Sequence, residues 1–113
     1  MNRPEQRRQI DRLRTLGDLL LDARLAELQT AAAARAASLE RLADLDRPAA
    51  ATDLPTLAAA EVGMRYQRWA DQRRADINLT LARQTAIWLE ARQSAALALG
   101  KSQALDGLSK MLK

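Results

Sequence analysis

The chain contains no cysteine and no histidine among its 113 residues, and these two absences exclude thiol chemistry and every catalytic or metal-binding role of an imidazole. Without cysteine there are no disulfides and no thiolates, which fits a reducing compartment and leads us to expect a cytoplasmic protein. Without histidine the chain lacks the commonest general base and the commonest metal ligand. Its four glycines are never adjacent, so a glycine-rich phosphate loop is also missing. We therefore predict a protein that is not an enzyme and binds no cofactor.

Metal binding and membrane insertion are not expected either. Asp18 and Asp22 are four residues apart, as carboxylates are in helical metal sites, but those sites normally add a histidine. We interpret both aspartates as solvated surface residues. The longest apolar runs, LGDLLL and AALALG, are far shorter than the roughly 20 residues that cross a bilayer.

What the chain does have is helix-forming residues in abundance. It contains 24 alanines, 20 leucines and 15 arginines, but one valine, no phenylalanine and only three aromatic residues. Alanine, leucine and arginine favour helices, whereas β-branched and aromatic residues favour strands. The composition predicts an all-α protein.

Two prolines mark the one strong interruption, in the segment DRPAAATDLPT at residues 46–56. Proline in a helix interior costs about 3 kcal/mol, so the connection is predicted at residues 47–55, with Thr52 or Asp53 as the N-cap of the second helix. Asn2, with Glu5 three residues later, forms the corresponding start signal of the first helix. We predict one antiparallel coiled-coil hairpin over residues 1–113, with helix 1 at about 3–46 and helix 2 at about 56–112.

Apolar residues projected at 100° per residue place one stripe on each helix, and these stripes predict the seam between the helices. Pairing about residue 51 puts Leu28 beside Arg74 and leaves the last dozen residues unpaired. Tyr66 and Trp69 are predicted to pack against helix 1, with Arg73 near Glu27. The helix 1 seam is Ile10, Leu13, Gly17, Leu20, Leu21, Leu28, Ala31, Ala32, Leu39 and Leu42. The helix 2 seam is Val62, Tyr66, Trp69, Ala70, Ile77, Thr80, Ile87, Trp88, Ala91, Ala95, Ala98, Leu105 and Leu112.

Further apolar residues lie off these stripes, and in the predicted register they form a band at one height along the hairpin. Its large members are Leu16, Leu19, Leu79, Leu89 and Leu97. Scattered leucines and alanines on a helix surface are common and need no function. A helix that is apolar on two sides is, however, usually buried on both. The band is therefore a candidate surface for a partner protein or for a second copy.

Positive charge is concentrated at the open end of the predicted hairpin and near residue 70. The candidate docking residues are Arg3, Arg7, Arg8, Lys101, Lys110 and Lys113 at the end, and Arg65, Arg68 and Arg74 on the flank. This pattern favours an acidic protein surface. Nucleic acid is a weaker alternative, because the net charge is only +4 and no reading motif is present. A membrane surface is weaker still, since residues 3–14 lack aromatic anchors.

Helix 2, in the stretch RWADQRRADINLTLARQTAIWLEARQSAALALGKSQALDGL, resembles the central-stalk proteins of flagellar and virulence type III export ATPases. The likeness lies in Trp, Arg, Gln, Ala and Leu at heptad-like intervals and in the organisation of the whole chain. It implies a cytoplasmic rod whose terminal end enters a hexameric ATPase ring, whose body contacts the export gate, and which hands over export chaperones. The alternative from the residues themselves is a structural hairpin that dimerises into a four-helix bundle.

Overall fold

The computed structural model describes residues 2–47 and 55–112, which form two α-helices and contain no β-strand. Helix α1 spans Arg3–Leu45 and helix α2 spans Thr56–Met111. Their contacts divide the chain into two compact units, each of which pairs a segment of α1 with an antiparallel segment of α2. Unit 1 comprises Met1–Ala32 and Ala86–Lys113, and unit 2 comprises Ala33–Thr85. The predicted all-α antiparallel hairpin is confirmed.

The two helices begin as the local sequence predicts. The Asn2 side chain caps α1, because its Oδ1 accepts a hydrogen bond of 3.0 Å from the backbone amide of Glu5. Helix α2 starts directly after Pro55, whose carbonyl accepts a bond of 2.8 Å from the amide of Ala59. The proposed caps Thr52 and Asp53, and most of the predicted turn, lie outside the described residues.

In unit 1 the helices meet along small residues. Ala95, Ala98 and Ala31 are buried, with exposed fractions of 5%, 3% and 8%. A Cβ placed on Gly17 would lie 3.1 Å from Leu105 Cδ1, so the α1 backbone comes close to α2 here. Most of the partly or fully buried positions follow the alternating spacing of three and four residues that defines a coiled-coil seam. These are Ile10, Arg14, Gly17, Leu21, Arg24, Leu28 and Ala31 on α1, and Trp88, Ala91, Ala95, Ala98, Ser102, Leu105, Ser109 and, just after α2, Leu112. The partly buried Gln6, Ala32, Ser94 and Asp106 lie beside this spacing.

Unit 2 has a compact apolar cluster and one polar layer. Leu45, Ala70 and Ile77 are buried together, with Leu42 packed against them. Farther along, the fully buried Ser38 hydroxyl donates a hydrogen bond of 2.5 Å to Gln84 Oε1. A buried hydroxyl needs such a partner, because leaving it unsatisfied costs about 1–3 kcal/mol.

The predicted register was wrong in both units. That register put Asp18 level with Gln84, whereas Asp18 accepts a bond of 2.9 Å from the hydroxyl of Ser102. Residues 102–112 are therefore paired with the first part of α1, since Leu112 contacts Arg7 and Asp106 contacts Arg14. In unit 2, Arg74 contacts Leu45. The prediction assumed that the helices pair immediately beyond the prolines, but the pairing of α2 with described α1 residues starts only near Ala70.

The predicted seam was correct at some positions and wrong at others. An ideal helix at 100° per residue drifts by about 20° in each heptad relative to the true 3.5-residue repeat, so errors accumulate along long helices. Counting apolar residues also passed over Arg14, Arg35 and Ser38, which lie on the seam. The predicted seam residues that are exposed are Leu13, Leu20, Leu39, Val62, Tyr66, Trp69, Thr80 and Ile87.

Gly100 offers a direct test of the packing in unit 1. A Cβ at this position would have no atom within 4 Å, so Gly100→Ala should gain helix propensity without a clash. We expect the free energy of unfolding to rise by about 1 kcal/mol, measured by urea titration monitored by circular dichroism. Gly17→Ala is the matched control, because its new Cβ would press on Leu105 and cancel much of the gain. A loss of stability in Gly100→Ala would contradict the open environment.

Candidate protein-binding surface

Unit 1 carries several large apolar side chains on the outside, in addition to those on its seam. Leu16, Leu19 and Leu97 are each more than 60% exposed, and Leu89 is half exposed. Leu79 is also exposed but belongs to unit 2. In the observed register of unit 1, Leu97 lies near the level of Ala23 and Leu89 near Ala31. All five leucines are exposed. The prediction that they form one band at the same height along the hairpin was wrong, because it depended on the predicted register.

An apolar groove runs between the two helices of unit 1. Leu21, Leu25 and Leu28 line it from α1, and Leu89, Ala96 and Leu99 line it from α2. At its rim the Arg92 guanidinium lies over the Trp88 ring, 4.9 Å from the ring centroid. Leu25 and Leu99 were missed in the sequence, although a strict heptad count places both one residue beyond a seam position. The groove is lined mainly by aliphatic side chains.

Several basic side chains lie near one end of unit 1, but they differ in their contacts within the protein. Arg7 Nε donates a hydrogen bond of 2.7 Å to the carbonyl of Leu112, so this arginine caps the end of α2. Arg3, Arg8 and Lys110 are exposed near the same end. Lys101 lies nine residues before Lys110, about 14 Å along the helix. Lys113 lies outside the described residues.

A polar network crosses the seam of unit 1 near this end. Arg14 Nε lies 3.0 Å from Asp106 Oδ1, and Arg14 Nη1 donates to the Ser109 hydroxyl at 3.1 Å. Because both partners of the ion pair are more than a third exposed, the pair contributes less than about 1 kcal/mol to stability. Its directional hydrogen bonds instead favour one register of the two helices.

On unit 2, the proposed basic flank separates into two kinds of arginine. Arg65 and Arg68 are exposed, and neither makes an ion pair within the described ranges. Arg74 was predicted to point outward, but it is half-buried and donates to the Leu45 carbonyl and to Asp46 Oδ1, at 3.5 and 3.1 Å. Its role is to join the two helices.

The predicted pairing of Arg73 with Glu27 was also wrong. Arg73 is exposed in unit 2, whereas the Glu27 carboxylate accepts hydrogen bonds of 3.1 Å from Arg24 within α1. The error arises from the register, which had placed the two residues at one level.

No protein-family model, curated protein or solved structure matches this chain. Over residues 2–47 and 55–112, neither helix has a stretch apolar enough to cross a bilayer. The same ranges hold no cluster of three or more acidic side chains that could ligate a metal, and Asp18 is engaged with Ser102. What the described residues do display is a set of exposed leucines, an apolar groove between the unit 1 helices, and exposed arginines without an ion pair at positions 65 and 68.

Proposed function

We propose that the chain is a non-enzymatic helical stalk or adaptor of a protein-export ATPase, acting in the cytoplasm by binding other proteins. The observation that carries this proposal is the distribution of side-chain size in unit 1. Alanine, serine and glycine fill much of the seam, while Leu16, Leu19, Leu89 and Leu97 face outward.

This distribution leaves binding energy available to a partner. Burying an exposed leucine contributes about 1.5–3 kcal/mol relative to leaving it in water. A hairpin that existed only to fold would gain more by placing these leucines on its own seam. Their exposure is typical of a helix pair that is completed by another protein.

Charge and resemblance support the export-ATPase version of this function. Arg3, Arg8 and Lys110 lie near one end of unit 1, where a stalk would enter an ATPase ring. An acidic ring lining would attract that end, and the attraction would weaken with salt. The likeness of helix 2 to the type III export stalks favours the same partner, with the export gate as a second one.

The test is binding to the hexameric export ATPase encoded in the same genome, measured by co-purification and by the rate of ATP hydrolysis. We expect the wild-type chain to bind, and charge reversal in Arg3→Glu/Arg8→Glu to weaken binding at least about tenfold, as loss of interfacial charge pairs commonly does. Arg41→Glu/Arg83→Glu is the control, because it makes the same charge change at two exposed positions of unit 2. Absence of binding by the wild-type chain would refute the export-ATPase proposal.

A second candidate function, a self-associating structural hairpin, is favoured by the same exposed leucines. Two copies could bury their unit 1 surfaces against each other as a four-helix bundle. Sedimentation at micromolar concentration separates the candidates, since the stalk predicts a monomer and the bundle a dimer. A dimer that persists on dilution and dissociates in Leu97→Arg would support the bundle.

A further inference from the structure

The first part of α2, before its pairing with α1, displays an apolar stripe. Val62, Tyr66 and Trp69 recur at spacings of four and three residues, which places them on one helix face, and Arg73 continues the stripe four residues later. All four side chains are exposed, Trp69 by 55%. Every residue from 61 to 69 is exposed. Ala58 and Ala59, nearer the start of α2, are partly buried, and Ala70 is the first fully buried residue of this helix.

Helix α1 ends before it reaches the level of this stripe, so the described part of α1 does not cover Val62, Tyr66 or Trp69. Arg74 contacts Leu45 and Asp46, and α1 ends at Leu45. The helix from Thr56 to Trp69 therefore extends about 21 Å, at 1.5 Å per residue, beyond the level at which α1 ends. Its apolar spacing is that of a seam, but the seam residues described on α1 lie elsewhere.

The charge around the stripe indicates what could bind there. Arg65, Arg68 and Arg73 make no ion pair within the part of the chain that the structure describes. The neighbouring Asp71 does not neutralise them, because its carboxylate accepts a bond of 2.9 Å from Arg74. A stripe of Val, Tyr and Trp that ends in Arg73 and has Arg65 and Arg68 along one side is complementary to an apolar helix flanked by glutamate or aspartate.

The aromatic geometry favours protein over nucleic acid as the occupant. Tyr66 and Trp69 are packed against each other, with ring centroids 5.7 Å apart and planes tilted by 42°. A platform for bases needs ring faces that are free to stack. Here each ring limits access to the other, while the aliphatic Val62 adds a side chain that suits a helix partner.

We propose that the stripe formed by Val62, Tyr66, Trp69 and Arg73 is a docking site for an acidic amphipathic helix of a partner protein. The partner helix would lay its apolar face on the stripe and pair the acidic residues of one flank with Arg65 and Arg68, which lie on the same side of the stripe. This site lies wholly in unit 2 and does not depend on the function proposed for unit 1.

The test uses the full chain and a synthetic three-heptad peptide with leucine at its seam positions and glutamate on both flanks. Binding is measured by the fluorescence anisotropy of the labelled peptide. We expect the acidic peptide to bind, a matched peptide with lysine flanks to fail, and Trp69→Ala or Tyr66→Ala to weaken binding at least about tenfold. Arg65→Ala/Arg68→Ala should also reduce the salt dependence of the affinity.

Leu79→Ala and Arg83→Ala are the control variants, because both residues are exposed in unit 2 but lie off the stripe. Their affinities should match the wild type, and circular dichroism should show equal helicity for all variants. Equal binding of both peptides, or no binding of the acidic one, would overturn the proposal. So would an oligonucleotide that binds at Trp69 when the peptide does not, or a homodimer that Trp69→Ala dissociates.

Discussion

Replacing Ile77 by alanine should lower the free energy of unfolding by about 2–4 kcal/mol, the largest effect we expect from a single truncation in this chain. Ile77 is 6% exposed and packs with Leu45 and Ala70. Because the cluster is small, few neighbouring side chains can move to fill the space that the substitution leaves. Urea titration monitored by circular dichroism measures this free energy.

Ile87→Ala is the matched control for this prediction. It removes the same atoms from the same helix, but Ile87 is 58% exposed and should lose less than about 1 kcal/mol. Equal costs for the two variants would mean that Ile87 is buried in solution, which only association with another molecule could cause in this structure. The comparison therefore tests the burial assignment and self-association together.

The second large effect is expected from Ala98→Leu, which should destabilise the protein by about 1–3 kcal/mol. Ala98 is 3% exposed at the point where the unit 1 helices meet. A leucine there forces the helices apart or adopts a strained rotamer. Thermal unfolding should show a lower midpoint temperature.

Ala104→Leu controls for the chemical change, because Ala104 is exposed on the same helix. Since alanine and leucine have similar helix propensities, this variant should unfold close to the wild-type temperature. A stability of Ala98→Leu above that of the wild type would require an unfilled space beside Ala98. That result would contradict the close packing of the two helices at this position.

The sequence predicted the features of this fold that depend on local chemistry. Helix composition, the Asn2 cap and the interruption between Asp46 and Thr56 each reflect the behaviour of single residues or short segments. Register depends instead on long-range pairing, and the seam offers few large apolar residues to specify it. Polar contacts such as Asp18–Ser102 specify it, and no apolar pattern signals them.

Exposed apolar residues were predictable only where the 3.6-residue repeat of a straight helix and the 3.5-residue repeat of a coiled coil both place the residue off the seam. Leu16, Leu19, Leu89 and Leu97 meet that condition and are exposed as expected. Tyr66 and Trp69 do not, because their spacing is that of a seam, whereas the observed seam starts at Ala70 and continues through Arg74 and Ile77. Arg74 was assigned to the surface because the projection at 100° per residue placed it off the helix 2 stripe, and placed Arg73 on that stripe instead.

The buried hydrogen bond from Ser38 to Gln84 gives unit 2 a property that its apolar cluster alone would not provide. Shifting α2 by a heptad could place Ile77 opposite Ser38 and strand the hydroxyl, at a cost of about 1–3 kcal/mol. The Ser38–Gln84 hydrogen bond therefore opposes sliding of α2 along α1, because a force applied along the helix axes has to break this bond before the two helices can shift.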